Sequence, residues 1–413
     1  MNPGPLVQLF PLVLIFGVMY FLMIRPQMKQ QKELAQMQSK LKKNDEVMHI
    51  TRTGERKKAK VVSVMTFSGM TRIDTDECVP GDICAVSGID GVSIGETLTD
   101  LNDPRPLPTI DIEEPTVKMT FGINTSPFAG QEGQYTTSRQ IKERLDRELE
   151  TDVALKVANT DTESRWVVSG RGELHLAILI EKMRREGFEL EVSRPQVIFK
   201  EEGGKKLEPI EMLSIECPEG HAGAVIQKLG QRRGEMKDMK VEGPTAFLEF
   251  EIPTRGLIGY RNEFMTDTRG LGLMNSLLKG YEEYRGEFSS IPHGSLIAYE
   301  AGTTTGYGLQ GAKERGTLFI KPGTEVYEGM VIGQNAKPED LEVNGCKAKQ
   351  LSNMRSKGDG VADALEVPRM MTLEDSIEYI GDDELVEITP KTVRIRKQWL
   401  NANERKRKEQ QSQ

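Results

Sequence analysis

The sequence predicts an α+β protein with an N-terminal transmembrane helix, a partial β-barrel, two ferredoxin-like βαββαβ domains and a mostly β C-terminal domain. An apolar run near the N-terminus predicts the membrane helix. A strand–helix–strand–strand–helix–strand order that occurs twice predicts the ferredoxin-like domains, and short strands with glycine turns after about residue 289 predict the last domain. A chain of 413 residues has room for roughly two to four domains with sizeable cores.

The N-terminal apolar run covers residues 6–24 and is interrupted only by Gln8. At ~1.5 Å per residue, a helix of this length crosses the ~30 Å hydrocarbon core of a bilayer. A signal peptide would begin with basic residues, but residues 1–5 carry no charged side chain. Basic residues follow the run, so we expect a single-pass protein of the inner membrane with most of the chain in the cytoplasm.

Residues 1–50 resemble YajC, the small accessory subunit of the bacterial preprotein translocase. The resemblance depends on the apolar run, on the motif IRPQMK at residues 24–29 and on KNDEV at residues 43–47. The YajC pattern continues into a Gly-Gly turn, whereas residues 51–58 here are TRTGERKK. The resemblance implies the membrane and subunits of the Sec translocase as partners.

Residues 51–108 have the pattern of short strands, at residues 61–65 and 82–86. The run VPGDICAVSG at residues 79–88 resembles the second half of a translation-factor β-barrel domain. An incomplete barrel has an open edge, unless residues 46–50 supply a substitute strand. A linker rich in proline and aspartate follows at residues 102–115.

Regular alternation of strand and helix patterns begins after this linker. The predicted domains are a ferredoxin-like domain at residues 116–202, a second one at residues 207–288, a C-terminal domain at residues 289–400 and a basic tail at residues 401–413. In the first, helices are predicted at residues 138–150 and after residue 172. In the second, they are predicted at residues 221–231 and at about residues 256–265.

One motif stands between a strand and a helix of the first ferredoxin-like domain. It consists of Ser169, Gly170, Arg171, Gly172, Glu173, Leu174, His175 and Leu176. The glycines suit a tight turn, and the apolar residues that follow at i, i+3, i+4 and i+7 predict one buried helix face. The pattern alone fits a piece of any α+β sandwich.

The same motif resembles the third domain of ribosome-binding translational GTPases, and most closely the BipA (TypA) family. Its family-signature residues here are Ser169, Gly170, Arg171, Gly172, Glu173 and His175. The resemblance covers about residues 51–407 and includes TRGLIG at residues 254–259. His175 beside Glu173 could suggest acid–base chemistry, but neighbouring helical residues face different directions, so we expect His175 to border the helix core.

The sequence contains no G-x-x-x-x-G-K-[ST] loop that would cradle phosphates and hold magnesium. The nearest run, GGKK at residues 203–206, reads as a hairpin turn, and the D-x-x-G at residues 267–270 has no guanine-reading partner motif. The chain is therefore expected to lack the GTPase domain, to bind neither GTP nor magnesium and not to be an enzyme. Scattered cysteines and histidines predict no zinc site.

A net charge of −8 argues against a uniformly basic nucleic-acid binder, but two segments are locally basic. We expect contacts to ribosomal RNA from Lys347, Lys349, Asn353, Arg355, Lys357, Arg394, Arg396 and Lys397. The first five resemble a BipA loop directed at the catalytic centre of the large ribosomal subunit, and they could also form a flexible surface loop. Alternation along a strand would place Arg394 and Arg396 on one face.

These observations favour the ribosome-binding module of a BipA/TypA-like translation and large-subunit (50S) assembly factor, without the GTPase domain and anchored to the membrane. Its partners would be large-subunit rRNA and proteins. The alternative is a YajC-like accessory subunit of the Sec complex with a cytosolic interaction region. A third hypothesis is that the junction near residues 50–54 is a fusion artefact without a selected role.

Overall fold

A computed structural model describes residues 41–108, 114–288, 294–348 and 367–412. The chain divides into two compact units, residues 1–111 and 112–413. The first unit contains only strands among its described residues: β1 (Leu41–Lys42), β2 (Glu46–Ile50), β3 (Arg56–Lys60), β4 (Ser63–Ser68), β5 (Thr71–Thr75), β6 (Glu77–Cys78), β7 (Cys84–Ser87) and β8 (Thr97–Thr99).

These strands form three small sheets, with the orders β1-β6, β3-β2-β8 and β5-β4-β7. Residues 46–50, the possible substitute strand, form β2, which pairs with β3 and β8 on its two sides. The sheets share a core that includes Val47, Val61, Val64 and Cys78. Among residues 41–108 no sheet closes on itself, so the strands form a cluster of open sheets and not a closed barrel.

A buried contact between a histidine and a glutamate joins β2 to the turn before β8. His49 Nε2 lies 2.6 Å from Glu96 Oε2, and the two side chains are 3% and 8% exposed. The backbone N–H of Ser93 and the imidazole of His49 hold the pKa of Glu96 below its usual value, against the opposing effect of burial. Folding of this unit is therefore coupled to ionisation of Glu96.

A carboxyl group whose pKa falls on folding stabilises the fold above its unfolded pKa, and that stability is lost as the pH falls through the folded pKa. We expect Glu96→Gln to cost about 1 to 2 kcal/mol at neutral pH and to flatten the loss of stability between about pH 5 and pH 3. Pulse proteolysis in urea, read on peptides from residues 46–99, measures both effects. Asp90→Asn, an exposed carboxylate of the same unit, is the control and should leave the pH profile unchanged.

The second unit begins with the first ferredoxin-like domain, in the predicted order. Its elements are β9 (Val117–Gly122), α1 (Ser138–Thr151), β10 (Lys156–Asn159), β11 (Arg165–Gly170), α2 (Glu173–Arg185) and β12 (Leu190–Ser193). The strands lie antiparallel in the order β10-β11-β9-β12. A capping box between Thr137 and Gln140 fixes the start of α1, and Leu176, Ile180 and Met183 of α2 are fully buried as the spacing predicts.

The second ferredoxin-like domain follows a short strand and a hairpin. Its elements are β13 (Gln196–Val197), β14 (Lys200–Glu202), β15 (Lys205–Pro218), α3 (Glu219–Gln231), β16 (Glu235–Glu242), β17 (Thr245–Pro253), α4 (Thr254–Leu257), α5 (Tyr260–Asp267) and β18 (Leu273–Glu283). The main sheet has the order β16-β17-β15-β18. The single helix expected at about residues 256–265 is two helices, because Gly259 has a φ of 72° and interrupts the helical hydrogen bonding.

The C-terminal region completes the second unit. Its elements are β19 (Ser295–Ala298), β20 (Gly302–Thr303), α6 (Gly306–Lys313), β21 (Gly316–Leu318), β22 (Glu325–Val326), β23 (Met330–Asn335), β24 (Leu341–Val343), α7 (Leu373–Tyr379), β25 (Glu384–Ile388), β26 (Val393–Lys397) and α8 (Ala402–Ser412).

The C-terminal strands extend the sheet of the first ferredoxin-like domain. β25 pairs antiparallel with β12, with Val192 opposite Val386, and the sheet continues through β26, β23, β19 and β24. With β13, which pairs with β9, and β21, which pairs with β23, this sheet has 11 described strands. One core therefore contains Val117 of β9, Leu176 of α2, Ile377 of α7 and Ile395 of β26. The predicted boundary at residue 289 separates segments of sequence that share this hydrophobic core.

The predicted fold class and localisation require a correction. Of the helices in the described ranges, none is long and apolar enough to cross a membrane. The predicted span at residues 6–24 lies outside the described residues. The predicted α+β fold with a transmembrane helix and a partial barrel is corrected to a mixed α+β fold of open sheets and short helices. The prediction of a protein of the inner membrane is corrected with it, since it depended on that helix.

Candidate functional site

The family-signature motif forms the turn between β11 and α2. A Cβ atom on Gly170 would lie 2.8 Å from His175 Nδ1 and 3.0 Å from Leu176 Cδ2, so this position needs glycine. The backbone N–H of Arg171 donates to His175 Nδ1 at 3.2 Å, and Thr116 Oγ1 donates to the Arg171 carbonyl at 2.8 Å. The motif therefore has a structural role, because its hydrogen bonds hold the turn between β11 and α2 in place.

His175 also ties this turn to the end of α1. Its Nε2 lies 2.5 Å from Asp152 Oδ2, at the C-cap of α1. Burial alone would raise the pKa of Asp152, but the hydrogen bond and charge of His175 outweigh it and lower that pKa. His175 is thus engaged with Asp152 and with the turn, which agrees with the expected position at the border of the helix core.

Glu173, in contrast, faces a cavity of about 660 Å³ within the second unit. The cavity is bordered by the first turns of α2, by α4, by β18 and by α7. Its apolar lining includes Leu174, Ile178 and Leu277, and its charged lining includes Glu173 and Glu378. The site therefore assembles residues from both ferredoxin-like domains and from the C-terminal region, a combination that no local sequence pattern predicts.

The two carboxyl groups in this cavity perturb each other. Burial, and then repulsion from Glu378, raise the pKa of Glu173 to about 8, although a hydrogen bond involving the Gly259 backbone opposes the shift. Burial also raises the pKa of Glu378, despite a hydrogen bond from Asn262 Nδ2. A cation placed between these carboxyl groups would therefore be stabilised strongly.

The three predicted RNA-contacting residues of β26 lie inside the protein. Arg396 is 2% exposed and bonds Glu191 and Thr125, with 2.6 Å between Arg396 Nη2 and Thr125 Oγ1. Arg394 bonds Glu132 Oε1 and Glu387 Oε1, each at 2.9 Å. The two arginines do share one face of the strand, but that face is covered by carboxylates.

Lys397 is buried on the other face of β26. Its Nζ lies 2.5 Å from Asp340 Oδ2, 2.8 Å from Asp383 Oδ2 and 3.0 Å from Glu384 Oε1. Burial lowers the pKa of Lys397, but the surrounding carboxylates outweigh it and raise that pKa. β26 is an interior strand, because it lies between β25 and β23 in the sheet.

The other predicted RNA contacts fall on a segment that is described only at its start. Lys347 is exposed, and its carbonyl accepts a hydrogen bond from Thr305 Oγ1 at 2.6 Å. Lys349, Asn353, Arg355 and Lys357 lie outside the described residues. In the tail, Arg405 bonds Glu342 Oε1 at 2.7 Å, whereas Lys406 and Arg407 of α8 are exposed.

Metal-binding chemistry is not assembled in the part of the chain that the structure describes. No group of three or more histidine, cysteine, aspartate or glutamate side chains is placed to hold an ion within these ranges. The four cysteines are free thiols, and Cys78 and Cys217 are buried.

Comparisons with protein families divide the chain into recognisable segments. Residues 9–54 match the preprotein translocase subunit YajC, residues 40–99 elongation factor Tu domain 2, residues 132–194 elongation factor G domain III, residues 205–291 the elongation factor G C-terminus and residues 293–402 the TypA/BipA C-terminal domain.

Curated relatives agree with these matches. The chain is 50% identical over 342 residues to the large ribosomal subunit assembly factor BipA of Synechocystis, 46% over 356 residues to that of Bacillus subtilis and 47% over 370 residues to that of Escherichia coli K12. These alignments cover 82%, 86% and 89% of this chain but 57%, 58% and 61% of the relatives. The chain thus spans somewhat more than half the length of the proteins that it matches.

The fold and the matched domains define a chain built from the domains that lie beyond the GTP-binding domain of translational GTPases. More particularly, the chain carries the C-terminal part of the BipA/TypA family, joined to an N-terminal segment of the YajC family. The prediction of a Sec partner depends on that YajC match alone.

Proposed function

We propose that this chain is a ribosome-binding module that acts on the large ribosomal subunit during its assembly. The observation that carries the proposal is the identity of 46% to 50% with proteins named large ribosomal subunit assembly factor BipA. The elongation-factor-like domains support it, because each contributes residues to a buried hydrophobic core.

We further infer that binding does not depend on a nucleotide and that the chain does not hydrolyse GTP by itself. The family matches cover only domains beyond the GTP-binding one, and the sequence has no phosphate-cradling loop with lysine and serine or threonine. The module would therefore contribute docking and not the nucleotide switch.

RNA contact would depend on basic side chains that the protein leaves exposed. Lys347, Lys406 and Arg407 meet this condition, and Lys347 begins the segment that carries the other predicted RNA contacts, Lys349, Asn353, Arg355 and Lys357. Arg394, Arg396 and Lys397 do not meet it, since their charged groups bond carboxylates inside the sheet. We therefore assign the RNA-facing surface to residue 347 onward and to α8.

Sedimentation of the full chain with purified large ribosomal subunits tests this function. Without added nucleotide, we expect the chain to pellet with the subunits at ~50 mM salt and to lose at least tenfold in affinity by ~200 mM, because phosphate contacts release counterions. A non-hydrolysable GTP analogue should leave the pelleted fraction unchanged. Failure to pellet at low salt would contradict the proposal.

A charge-matched pair of variants locates the surface. The triple change Lys347→Gln, Lys406→Gln and Arg407→Gln should weaken binding and reduce the salt slope by about one for each phosphate that is no longer neutralised. The control removes the same charge elsewhere, as Lys205→Gln, Lys240→Gln and Lys279→Gln. Equal weakening by both triple variants would show a nonspecific charge effect and would overturn the assignment.

A further inference from the structure

The cavity beside Glu173 has one wall formed by the edge of a sheet. β18 pairs with β15 from Leu273 to Glu283, and it has no second partner among the described strands. All residues from 274 to 278 border the cavity. Neighbouring side chains of a strand point to opposite faces, so an uninterrupted run of lining residues means that β18 presents its backbone edge to the cavity.

This edge leaves backbone hydrogen-bonding groups available for another strand. An unpaired sheet edge is a template on which an extended segment can add, with the main chain supplying affinity and side-chain pockets supplying specificity. The run 274–278 provides ~17 Å of edge at ~3.4 Å per residue. Natural sheets protect such edges with bulges, proline or charge. The pairing of β18 with β15 is irregular at Lys279, but residues 273–278 are LMNSLL and pair in regular register.

The cavity also offers apolar contacts to an extended segment, from α2 and from β18. Leu174 and Ile178 lie one helical turn apart on α2 and are 52% and 48% exposed. Leu277 on β18 is 66% exposed. A strand that paired with β18 would have every second side chain on the same face. The side chains of one face would cover part of Leu174, Ile178 and Leu277.

The charge of the lining selects a basic occupant. Four carboxyl groups line the cavity, on Glu173, Glu211, Glu374 and Glu378, against the guanidinium groups of Arg171 and Arg261. Glu173 and Glu378 repel each other, and a lysine or arginine between them would replace that repulsion with two attractions. Phosphates of a nucleic acid would meet the same carboxylates unfavourably, so the complementary partner is a protein segment.

We propose that this cavity binds an extended, basic segment of a partner protein, which adds to the free edge of β18 as a further strand. Lysine or arginine side chains of the segment contact Glu173 and Glu378, and its apolar side chains contact Leu174 and Ile178. This site goes beyond the proposed ribosome-binding function, since it lies on β18 and α2 and needs no RNA.

Backbone methylation of a probe peptide tests strand addition without any change to the protein. The probe is a fluorescein-labelled seven-residue peptide that alternates lysine and valine, titrated into the full chain without ribosomes and followed by fluorescence anisotropy. We expect saturable binding. Because only alternate N–H groups of an added strand face the edge, N-methylation of one alternate set should weaken binding at least tenfold. Methylation of the other set should change it by less than about threefold.

Protein variants test the charge contacts. The double variant Glu173→Gln, Glu378→Gln should bind the probe at least tenfold more weakly, whereas Glu249→Gln, on an exposed position of β17, should bind it as the unchanged chain does. Thermal unfolding of each variant establishes that it is folded. Absence of binding, equal effects of the two methylated peptides, or undiminished binding by the double variant would each overturn the proposal.

Discussion

Arg396→Ala is expected to destabilise the second unit by on the order of 3 kcal/mol. The change removes a guanidinium that is 2% exposed and leaves Glu191, whose side chain is also 2% exposed, with only the half-exposed Arg165 as a cationic partner at 2.9 Å. Breaking one half of a buried ion pair is costly because the remaining charge stays desolvated. Urea unfolding followed by the fluorescence of Trp166 and Trp399, both in this unit, measures the loss.

Arg185→Ala serves as the comparison for this prediction. Arg185 also bonds a carboxylate, Glu181 Oε1 at 2.7 Å, but its side chain is 76% exposed. Surface pairs of this kind contribute less than about 1 kcal/mol. If both alanine variants unfolded at the same urea concentration, the interior role assigned to Arg396 would be wrong.

Arg255→Ala is expected to destabilise the second ferredoxin-like domain by on the order of 3 kcal/mol. Arg255 Nε lies 2.5 Å from Glu208 Oε2, and the Glu208 side chain is fully buried. The same guanidinium lies over the rings of Tyr284 and Phe288, at 4.6 Å and 4.7 Å from their centroids. Arg255→Lys should recover only part of the loss, because an ammonium group lacks the planar fork that bonds and stacks at once.

The first domain provides a matched control for Arg255. Arg171 occupies the corresponding position in the small-Arg-Gly entry before the helix, but its side chain is exposed. Arg171→Ala should therefore change stability by less than about 0.5 kcal/mol. Hydrogen exchange of amides in β15 and β17 for Arg255, and in β9 and β11 for Arg171, measures the two effects. Faster exchange of equal size in both domains would contradict this assignment.

The repeated strand and helix order could be predicted from sequence because it depends on local periodicity. Apolar residues at helical spacing in α2 and alternation in β11 both reflect burial of one face, and the structure buries those faces. The break at Gly259 could not be predicted, since a single glycine in a helical pattern is compatible with a continuous helix.

The sheet that joins β12 to β25 could not be predicted in this way. Val192 pairs with Val386, and no local pattern specifies a partner that is so distant in the chain. The same limit applies to the surroundings of β26. A strand with alternating basic residues has the same sequence pattern whether its arginines face solvent or carboxylates. The carboxylates here, on Glu132 and Glu191, come from a different domain, so the local sequence does not reveal them.

The cavity could not be predicted from the sequence for a related reason. Glu173 is recognisable as part of a family motif, but its opposing carboxylate, Glu378, comes from α7, which follows in sequence by some two hundred residues. Local sequence identifies which residues begin a helix, and only the packing of three segments shows that two carboxylates share one cavity.

The sheet shared by β12 and β25 has a consequence for inheritance. Since Glu191 of β12 and Arg396 of β26 form a buried ion pair, recombination that exchanged the C-terminal region alone would separate the two residues of this pair. We therefore expect the segments that carry β12, β25 and β26 to be exchanged between genes together.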